Sequence, residues 1–194
     1  MNIARRRYLF NFLSDLLPGD GARVSKIRSA LLRWAGCKVG KNVKIGQYVH
    51  VWGTGAIEVG DNCWIASGVF LQTSGLIRIG NRTEILYQTL VTSNGGSNVI
   101  IGDDCRIAHM VSIKTSCHVI EPMSPCIGGA EQFKDIVIDD GCWICAGAII
   151  LPGAHVGRKN VVAAGAVVKE NVITEDLVLL AGVPAVSKKN YKDV

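Results

Sequence analysis

An aliphatic residue recurs at every sixth position from residue 138 to residue 168, and a small or medium-sized residue follows each of the first five after four positions. Six is not the helical period, but positions i and i+4 of a strand face the same side. Each repeat is therefore predicted to be a short strand and a corner, with both residues in one core. Such a repeat is typical of a parallel β-helix, whose coils hide their apolar faces by stacking. The aliphatic residues are Ile138, Ile144, Ile150, Val156, Val162 and Val168.

The same repeat begins at Val39, and its aliphatic residues occur in groups of three from there onwards. Steps of six occur within each group, and two, two, four and nineteen extra residues separate the first five groups. Groups of three predict a triangular prism, and every insertion leaves from the same corner. We expect an all-β fold of about six coils over residues 37–172, a long loop insert at 119–137 and a C-terminal tail at 173–194. Parallel crossovers usually favour a right-handed turn, but the period itself does not fix the hand.

Residues 1–36 lack the repeat and are predicted to be helical and basic. One apolar helical face ends at Pro18–Gly19, and a second helical pattern runs from Val24 to Trp34. Seven basic and two acidic residues give this segment the whole net charge of the chain, +5. Two interpretations stay open, and one segment could satisfy both: a cap over the open end of the β-helix, or a surface that docks on an anionic membrane. The first apolar face comprises Tyr8, Leu9, Phe12, Leu13, Leu16 and Leu17.

Several features of the sequence bear on the compartment. No run of 18 apolar residues predicts a spanning helix, and the N-terminal apolar run is too interrupted for a signal peptide. Cys63, Cys105 and Cys142 occupy small inward positions of the repeat, which indicates buried thiols in a reducing compartment rather than a disulfide framework. We therefore expect a cytoplasmic protein, with peripheral contact to the inner face of the plasma membrane through residues 1–36 as an option. No nucleic-acid partner is predicted.

The segment IDDGCWICAGAIILPGAHVGRKNVVAAGAVV, followed by LLAGVPA, resembles the hexapeptide-repeat acyltransferases. The resemblance covers residues 39–186 and is closest to the maltose, galactoside and polysaccharide O-acetyltransferases. It implies a left-handed β-helix, so the general handedness rule would not hold here. It also implies a homotrimer with active sites between subunits, acetyl-CoA in a groove between two prisms, and direct transfer of the acetyl group without a metal.

One histidine stands where the long insert begins. His118 is the last residue of the repeat that starts at Ile113, and long loops in compact repeats are usually functional. Acetyl transfer to an alcohol needs a base near neutral pH to accept the hydroxyl proton. Residues 115–122, TSCHVIEP, resemble the family motif T-x-x-H-P-I-D-P, which implies that His118 is that base. Val119 departs from the motif's Pro and Glu121 from its Asp. Glu121 either orients the imidazole or is a solvated loop carboxylate.

The resemblance also suggests substrate and cofactor contacts. Gln88 falls where galactoside-type members carry an Asn that contacts the acceptor sugar. Trp143 matches the family tryptophan near the pantetheine arm, although Trp64 holds the same position of an earlier repeat and favours a purely structural role for both. The remaining histidines are predicted to be surface or groove residues, because their spacing matches no zinc site. These are His50, His109 and His155.

Small residues near the C-terminus match the family's backbone contacts to the cofactor, since small side chains let a chain-like ligand approach the backbone. The terminal A-G-x-P-A-R motif lacks its Arg, because Val186 stands in that place. Lys169, Lys188 and Lys189 are the candidates to meet a CoA phosphate instead, unless they form a solvated basic tail. The small residues are Ala146, Gly147, Ala164 and Gly165.

These observations predict an acetyl-CoA-dependent O-acetyltransferase that modifies a sugar hydroxyl in the biosynthesis of a surface polysaccharide. A carbohydrate acceptor is therefore expected. Two other hypotheses fit the same pattern. One is an acetyltransferase of streptogramin- or chloramphenicol-type antibiotics, and the other is a β-helix that serves as a scaffold without catalysis.

Overall fold

The six-residue repeat forms a parallel β-helix in the computed structural model, which describes residues 1–119, 130–170, 172 and 175–191. Two helices, α1 (Ile3–Asp15) and α2 (Ala22–Trp34), precede the first coil. The first coil contains β1 (Lys38–Val39), β2 (Lys44–Ile45) and β3 (His50–Gly53). The second contains β4 (Ala56–Val59), β5 (Trp64–Ile65) and β6 (Phe70–Thr73). The third contains β7 (Leu76–Ile79), β8 (Glu84–Ile85) and β9 (Leu90–Ser93).

The upper half of the prism continues the same pattern. The fourth coil contains β10 (Asn98–Ile101), β11 (Arg106–Ile107) and β12 (Ser112–Lys114), and β13 (Ser116–His118) and β14 (Glu131–Phe133) follow it. The fifth coil contains β15 (Ile136–Ile138), β16 (Trp143–Ile144) and β17 (Ile149–Ile150). The sixth contains β18 (His155–Val156), β19 (Val161–Val162) and β20 (Val167–Val168). The described chain ends with β21 (Val178–Gly182) and β22 (Ala185–Asn190).

Strands that hold the same position in successive coils stack into three parallel sheets. The first sheet has the order β1-β4-β7-β10-β15-β18, the second β2-β5-β8-β11-β16-β19-β21-β22 and the third β20-β17-β12-β9-β6-β3. The register pairs aliphatic residues of successive coils, for example Ile85 with Ile107 and Ile107 with Ile144, and all three are buried. The predicted prism of about six coils is confirmed. We number the three corners of each coil in chain order. The first corner joins the first and second sheets, the second corner joins the second and third sheets, and the third corner leads to the next coil.

The first two corners turn through a residue with positive φ. This residue stands three positions after the inward aliphatic residue and has φ between 54° and 74°. Glycine, Asn and Asp adopt this conformation readily, whereas Gln88 and Met110 at the second corner adopt it at a cost of about 1–2 kcal/mol each. The stacked coils on either side therefore have to hold these side chains in place.

The long insert begins as a β-hairpin. In it, β13 and β14 pair antiparallel, with His118 opposite Glu131. The structure departs from the predicted loop 119–137 at both ends, because residues 116–118 already pair with the returning arm and Ile136 belongs to the first sheet. The hairpin rests on the third coil: Asn94 donates to the Ser116 hydroxyl at 3.2 Å, and the Phe133 ring packs over Gly95.

The two helices cap the open edge of the first coil, and the apolar face of α1 is turned away from the coil. Its buried side is largely polar, whereas Tyr8, Phe12 and Leu16 from the predicted apolar face are exposed. The cause is the coil edge, whose backbone groups need hydrogen-bond partners. Asn11 both donates to the Val51 carbonyl at 3.2 Å and accepts from its N–H at 2.9 Å. The buried residues of α1 are Arg7, Phe10, Asn11 and Ser14.

Arginine and serine side chains complete this cap. Arg7 donates to the carbonyls of Gly53 and Gly55, each at 2.7 Å. On α2, Ser25 accepts from the Ile45 N–H at 2.8 Å and Ser29 donates to Val43. Part of the N-terminal positive charge therefore serves to satisfy backbone carbonyls.

The other end of the prism carries a second small hairpin. Strand β21 continues the second sheet above β19, and β22 returns antiparallel beside it. The described part of the predicted C-terminal tail is thus a pair of strands. Within the described residues, no helix is long and apolar enough to span a bilayer.

Candidate functional site

The second corner of the fifth and sixth coils brings together the small residues that the sequence singled out. Ala146 and Gly147 lie directly beneath Ala164 and Gly165, and the Gly165 N–H donates to the Ala146 carbonyl at 3.0 Å. A Cβ added at either glycine would meet no atom within 4 Å, so the corner faces open space. Trp143 lies three residues before Ala146 on the outer face of the second sheet, with 51% of its surface exposed.

Backbone N–H groups at the first corner are satisfied by a ladder of acidic and amide side chains. In four successive steps, the residue two positions after the aliphatic residue donates its N–H to an Asp or Asn of the next coil, at 2.7–2.9 Å. The acceptors are Asp61, Asn81, Asp103 and Asp140.

At the second corner, the Gln47 N–H of the first coil donates to the Ser67 hydroxyl of the next coil at 3.2 Å, but no ladder of this kind continues up the described coils. Ala146 and Ala164 occupy the matching positions, and neither N–H donates to any acceptor among the described residues. Exposed, unpaired donors beside small side chains are suited to bind the carbonyl groups of an extended ligand. This corner could therefore hold an amide-containing chain such as the pantetheine arm of CoA.

Aromatic residues line the lower part of the same corner. Tyr87 stacks on His109, with ring centroids 5.3 Å apart and planes 7° apart, and meets Trp64 edge-on at 5.9 Å. Gln88, the predicted acceptor contact, is the exposed neighbour of Tyr87. A cavity of about 460 Å³ opens beside them between α2 and the second sheet, and its lining includes Trp64, Tyr87, Lys26 and Lys44. Sequence reasoning missed this cavity, because it depends on where α2 docks.

His118 lies on the hairpin at the third corner, with 59% of its side chain exposed. Its Nε2 is 3.8 Å from Oε1 of Glu131, the residue opposite it in the hairpin. Glu121, the predicted orienting carboxylate, lies outside the described residues. No pattern in the sequence points to Glu131, because neither periodicity nor a motif predicts which residue thirteen positions away pairs with His118.

A single chain does not bring all the predicted site residues together. Gln88 and the small residues share the second corner, between β8 and β9, β16 and β17, or β19 and β20, whereas His118 follows β12 at the third corner. One face of the prism separates these corners. The predicted base and the predicted cofactor contacts of one protomer therefore belong to two different edges.

The three predicted lysines are also separated. Lys188 and Lys189 are exposed on β22 at the top of the second sheet, and the Lys189 ammonium lies 5.2 Å from the Tyr191 ring centroid. Lys169 follows β20 and lines a groove with Glu170 and Pro184 at the third corner. Lys189 pairs with Leu179, which pairs with Val161 before the inward Val162, so neither β22 lysine lies directly above the N–H groups of the second corner.

The other titratable groups near these corners have structural contacts. His50 contacts Asp15 and His155 contacts Asp139, each at 2.9 Å. Partial burial raises the pKa of the Cys145 thiol, which keeps this neighbour of Ala146 neutral. The described residues contain no group of three or more His, Cys, Asp and Glu side chains that could hold a metal ion.

Comparison with known proteins adds family matches at both ends of the prism. A model described as "Bacterial transferase hexapeptide (six repeats)" matches residues 135–170, and "Hexapeptide repeat of succinyl-transferase" matches residues 36–72. Galactoside O-acetyltransferase from Lactococcus lactis is 29% identical over 70% of this chain and 64% of its own length. A putative colanic acid biosynthesis acetyltransferase, WcaF from Escherichia coli, is 27% identical over 71% of this chain and 61% of its own length. The chain thus spans less than two thirds of these relatives.

Solved structures share the fold. A variant of AntD, an N-acyltransferase from Bacillus cereus in complex with dTDP and coenzyme A, superposes with a TM-score of 0.72 at 24% identity, over 83% of this chain and 88% of its own. A hexapeptide-repeat acetyltransferase from Vibrio cholerae complexed with acetyl coenzyme A gives a TM-score of 0.67 at 21% identity, over 98% and 88%. These neighbours are left-handed β-helices, and the predicted fold class is confirmed.

Proposed function

The chain belongs to the hexapeptide-repeat acyltransferase family, and we propose that it transfers an acetyl group from acetyl-CoA to a hydroxyl group of a carbohydrate. The observation that carries this proposal is the second corner of the fifth and sixth coils, where the N–H groups of Ala146 and Ala164 have no acceptor among the described residues and the glycines that follow them face open space. The relatives named as galactoside O-acetyltransferases and the colanic acid relative support a carbohydrate acceptor. A role in surface polysaccharide biosynthesis is part of the proposal.

Acetyl-CoA supplies the activated acetyl group when it lies along the second corner. The Ala146 and Ala164 N–H groups donate to its amide carbonyls, and the small side chains at 147 and 165 leave room for the chain. The exposed Trp143 ring covers part of the pantetheine arm. Lys188 and Lys189, exposed on β22 at the top of the second sheet, offer point charges to a phosphate, although without the two-pronged contact of an Arg.

His118 acts as the general base in this proposal. One imidazole nitrogen accepts the proton of the acceptor hydroxyl as the oxygen attacks the thioester carbonyl, and a tetrahedral oxyanion forms. When the intermediate collapses, the C–S bond breaks and the imidazolium returns the proton to the CoA sulfur. The transfer is direct, as the resemblance to the family implies, and the Cys145 thiol beside Ala146 stays neutral. Glu131 stabilises the imidazolium from 3.8 Å, and Glu121 remains a second candidate for this role.

The separation of the corners requires a second copy of the chain. We propose a homotrimer in which the hairpin of one protomer places His118 against the second corner of its neighbour, as closed cyclic symmetry allows. Gln88, with an amide that can both donate and accept, then contacts the acceptor hydroxyls. Tyr87 and Trp64 provide apolar faces for the sugar rings.

The proposal is tested by following CoA release with a panel of glycans as acceptors and acetyl-CoA as donor. We expect CoA release to depend on a glycan, and mass spectrometry to find one added acetyl group on its oxygen. Turnover only with streptogramins or chloramphenicol would identify an antibiotic acetyltransferase instead. If calorimetry detects no binding of acetyl-CoA, the proposal is contradicted and the hypothesis of a scaffold without catalysis remains.

A further inference from the structure

Helix α1 exposes large apolar side chains while it buries polar ones. Tyr8, Phe12 and Leu16 are 62%, 56% and 63% exposed, and they follow one another at helical spacing. Arg7 and Asn11 on the opposite side are buried against the first coil. A surface helix normally presents the reverse arrangement, and a contiguous exposed apolar patch of this kind usually marks an interaction surface.

The position of this patch limits what can cover it. Arg7 and Asn11 reach the free edge of β3, which is the open end of the coil stack. The opposite side of α1 therefore points away from the stack, along the axis of the prism. Protomers that pack side by side cover the flat faces of the prism and leave this base uncovered.

The charges around the patch are basic. Both acidic residues of the segment are engaged, Asp15 with His50 at 2.9 Å and Asp20 with Arg28 at 3.3 Å. In the part of the chain that the structure describes, five exposed basic residues of the same segment form no ion pair with a carboxylate, and two of them lie on α1 itself. These five are Arg5, Arg6, Arg23, Lys26 and Arg33, of which Arg33 donates to backbone carbonyls.

We propose that the base of the prism docks on an anionic lipid bilayer. Phe12, Leu16 and Tyr8 enter the boundary between headgroups and acyl chains, and Arg5 and Arg6 lie at the lipid phosphates. Polar side chains face the coil because the coil edge needs hydrogen bonds, and apolar side chains face the lipid. This docking surface is formed by the N-terminal segment alone and does not depend on the proposed chemistry. If both proposals hold, docking keeps the catalytic edges close to acceptors that are carried on lipids.

The test is co-sedimentation of the full chain with vesicles of phosphatidylcholine alone or mixed with phosphatidylglycerol. We expect binding to the anionic vesicles and little binding to the neutral ones. The double variant Phe12→Ser/Leu16→Ser should lose at least about tenfold in partitioning, because apolar area no longer enters the membrane. Arg5→Glu/Arg6→Glu should lose at least about tenfold as well, since each basic residue near such a surface contributes roughly fivefold. Met110→Ser removes an equally exposed apolar side chain (60%) from the second corner and should bind like the wild type.

Several outcomes would overturn the proposal. Wild-type protein that stays in the supernatant with anionic vesicles is one, and equal binding of both double variants and the wild type is another. A third outcome is that the wild type does not bind vesicles and Phe12→Ser/Leu16→Ser changes the oligomeric state measured by light scattering. The patch would then be a protein interface. Thermal melting of each variant shows whether it is folded, and the arginine variant carries the test alone if the apolar variant is not.

Discussion

The N–H of Ala164 is the smallest part of the proposed cofactor site that can be removed by itself. Pro152 holds the same position of its own repeat, so the backbone geometry of this position accepts a proline. Ala164→Pro should therefore fold normally and weaken CoA binding about fivefold to tenfold, the loss of one hydrogen bond. Ala164→Gly keeps the N–H and is the matched control. Isothermal titration with CoA measures both, and equal affinity for the two variants would exclude this contact.

Removal of the His118 imidazole should abolish most of the catalytic rate. His118→Ala is expected to lower kcat at least about 100-fold, the usual contribution of a general base, and to leave CoA affinity unchanged. Glu131→Gln, which removes the charge opposite the imidazole, should lower kcat about tenfold. Glu58→Gln, on the first sheet and paired with Lys38, is the control carboxylate and should keep wild-type kcat. Near-normal turnover of His118→Ala would reject the assignment of the base.

The cysteines show what the repeat can predict for single residues. Cys63, Cys105 and Cys142 lie in small inward positions, as the repeat indicates, and all are buried. Burial raises the pKa of Cys63, which keeps its thiol protonated and unreactive well above neutral pH. Brief alkylation of the native protein at about pH 8, followed by peptide mass mapping, should therefore modify exposed Cys117 and spare Cys63. Equal labelling of both would show that the first coils open readily.

Among the elements, helix α1 shows what hydrophobic periodicity cannot predict from the sequence. The sequence identifies an apolar face, because apolar side chains recur at helical spacing. It cannot tell which face turns inward, since that depends on what the helix packs against. Here the partner is a strand edge, and the buried positions are taken by Arg7 and Asn11. The hairpin of the insert is a similar case, because the length of the insert can be counted but the pairing of His118 with Glu131 cannot.

The cap makes a prediction about stability. Arg7→Met leaves the carbonyls of Gly53 and Gly55 without their donors inside the protein. We expect the free energy of unfolding in urea to fall by about 3 kcal/mol, typical of the loss of buried hydrogen bonds to a charged group. The neighbouring exposed Arg6→Met should change it by less than about 0.5 kcal/mol. Equal stability of the two variants would mean that α1 does not hold the first coil.

For the whole molecule, the repeat predicts the architecture because the same six-residue unit fixes every face. The steps of six, the insertions and the inward aliphatic residues together define three sheets and six coils. The same arithmetic assigns His118, Gln88 and the small residues to corners, and it separates His118 from Ala146 and Ala164. How copies of the chain assemble depends on the outer surfaces, which the repeat leaves free to vary, so the site between protomers could not be predicted from the residues alone.

Subunit complementation tests the central claim, that the base and the cofactor corner of one site come from different protomers. His118→Ala and Ala146→Pro/Ala164→Pro would be co-expressed, purified as mixed oligomers through two tags, and assayed at acetyl-CoA concentrations far below the wild-type KM. In every mixed trimer one of the three sites combines an intact histidine with an intact corner, so about a third of the wild-type rate should return. If the mixed oligomers are no more active than the two variants assayed separately, both parts belong to one chain and the account is wrong.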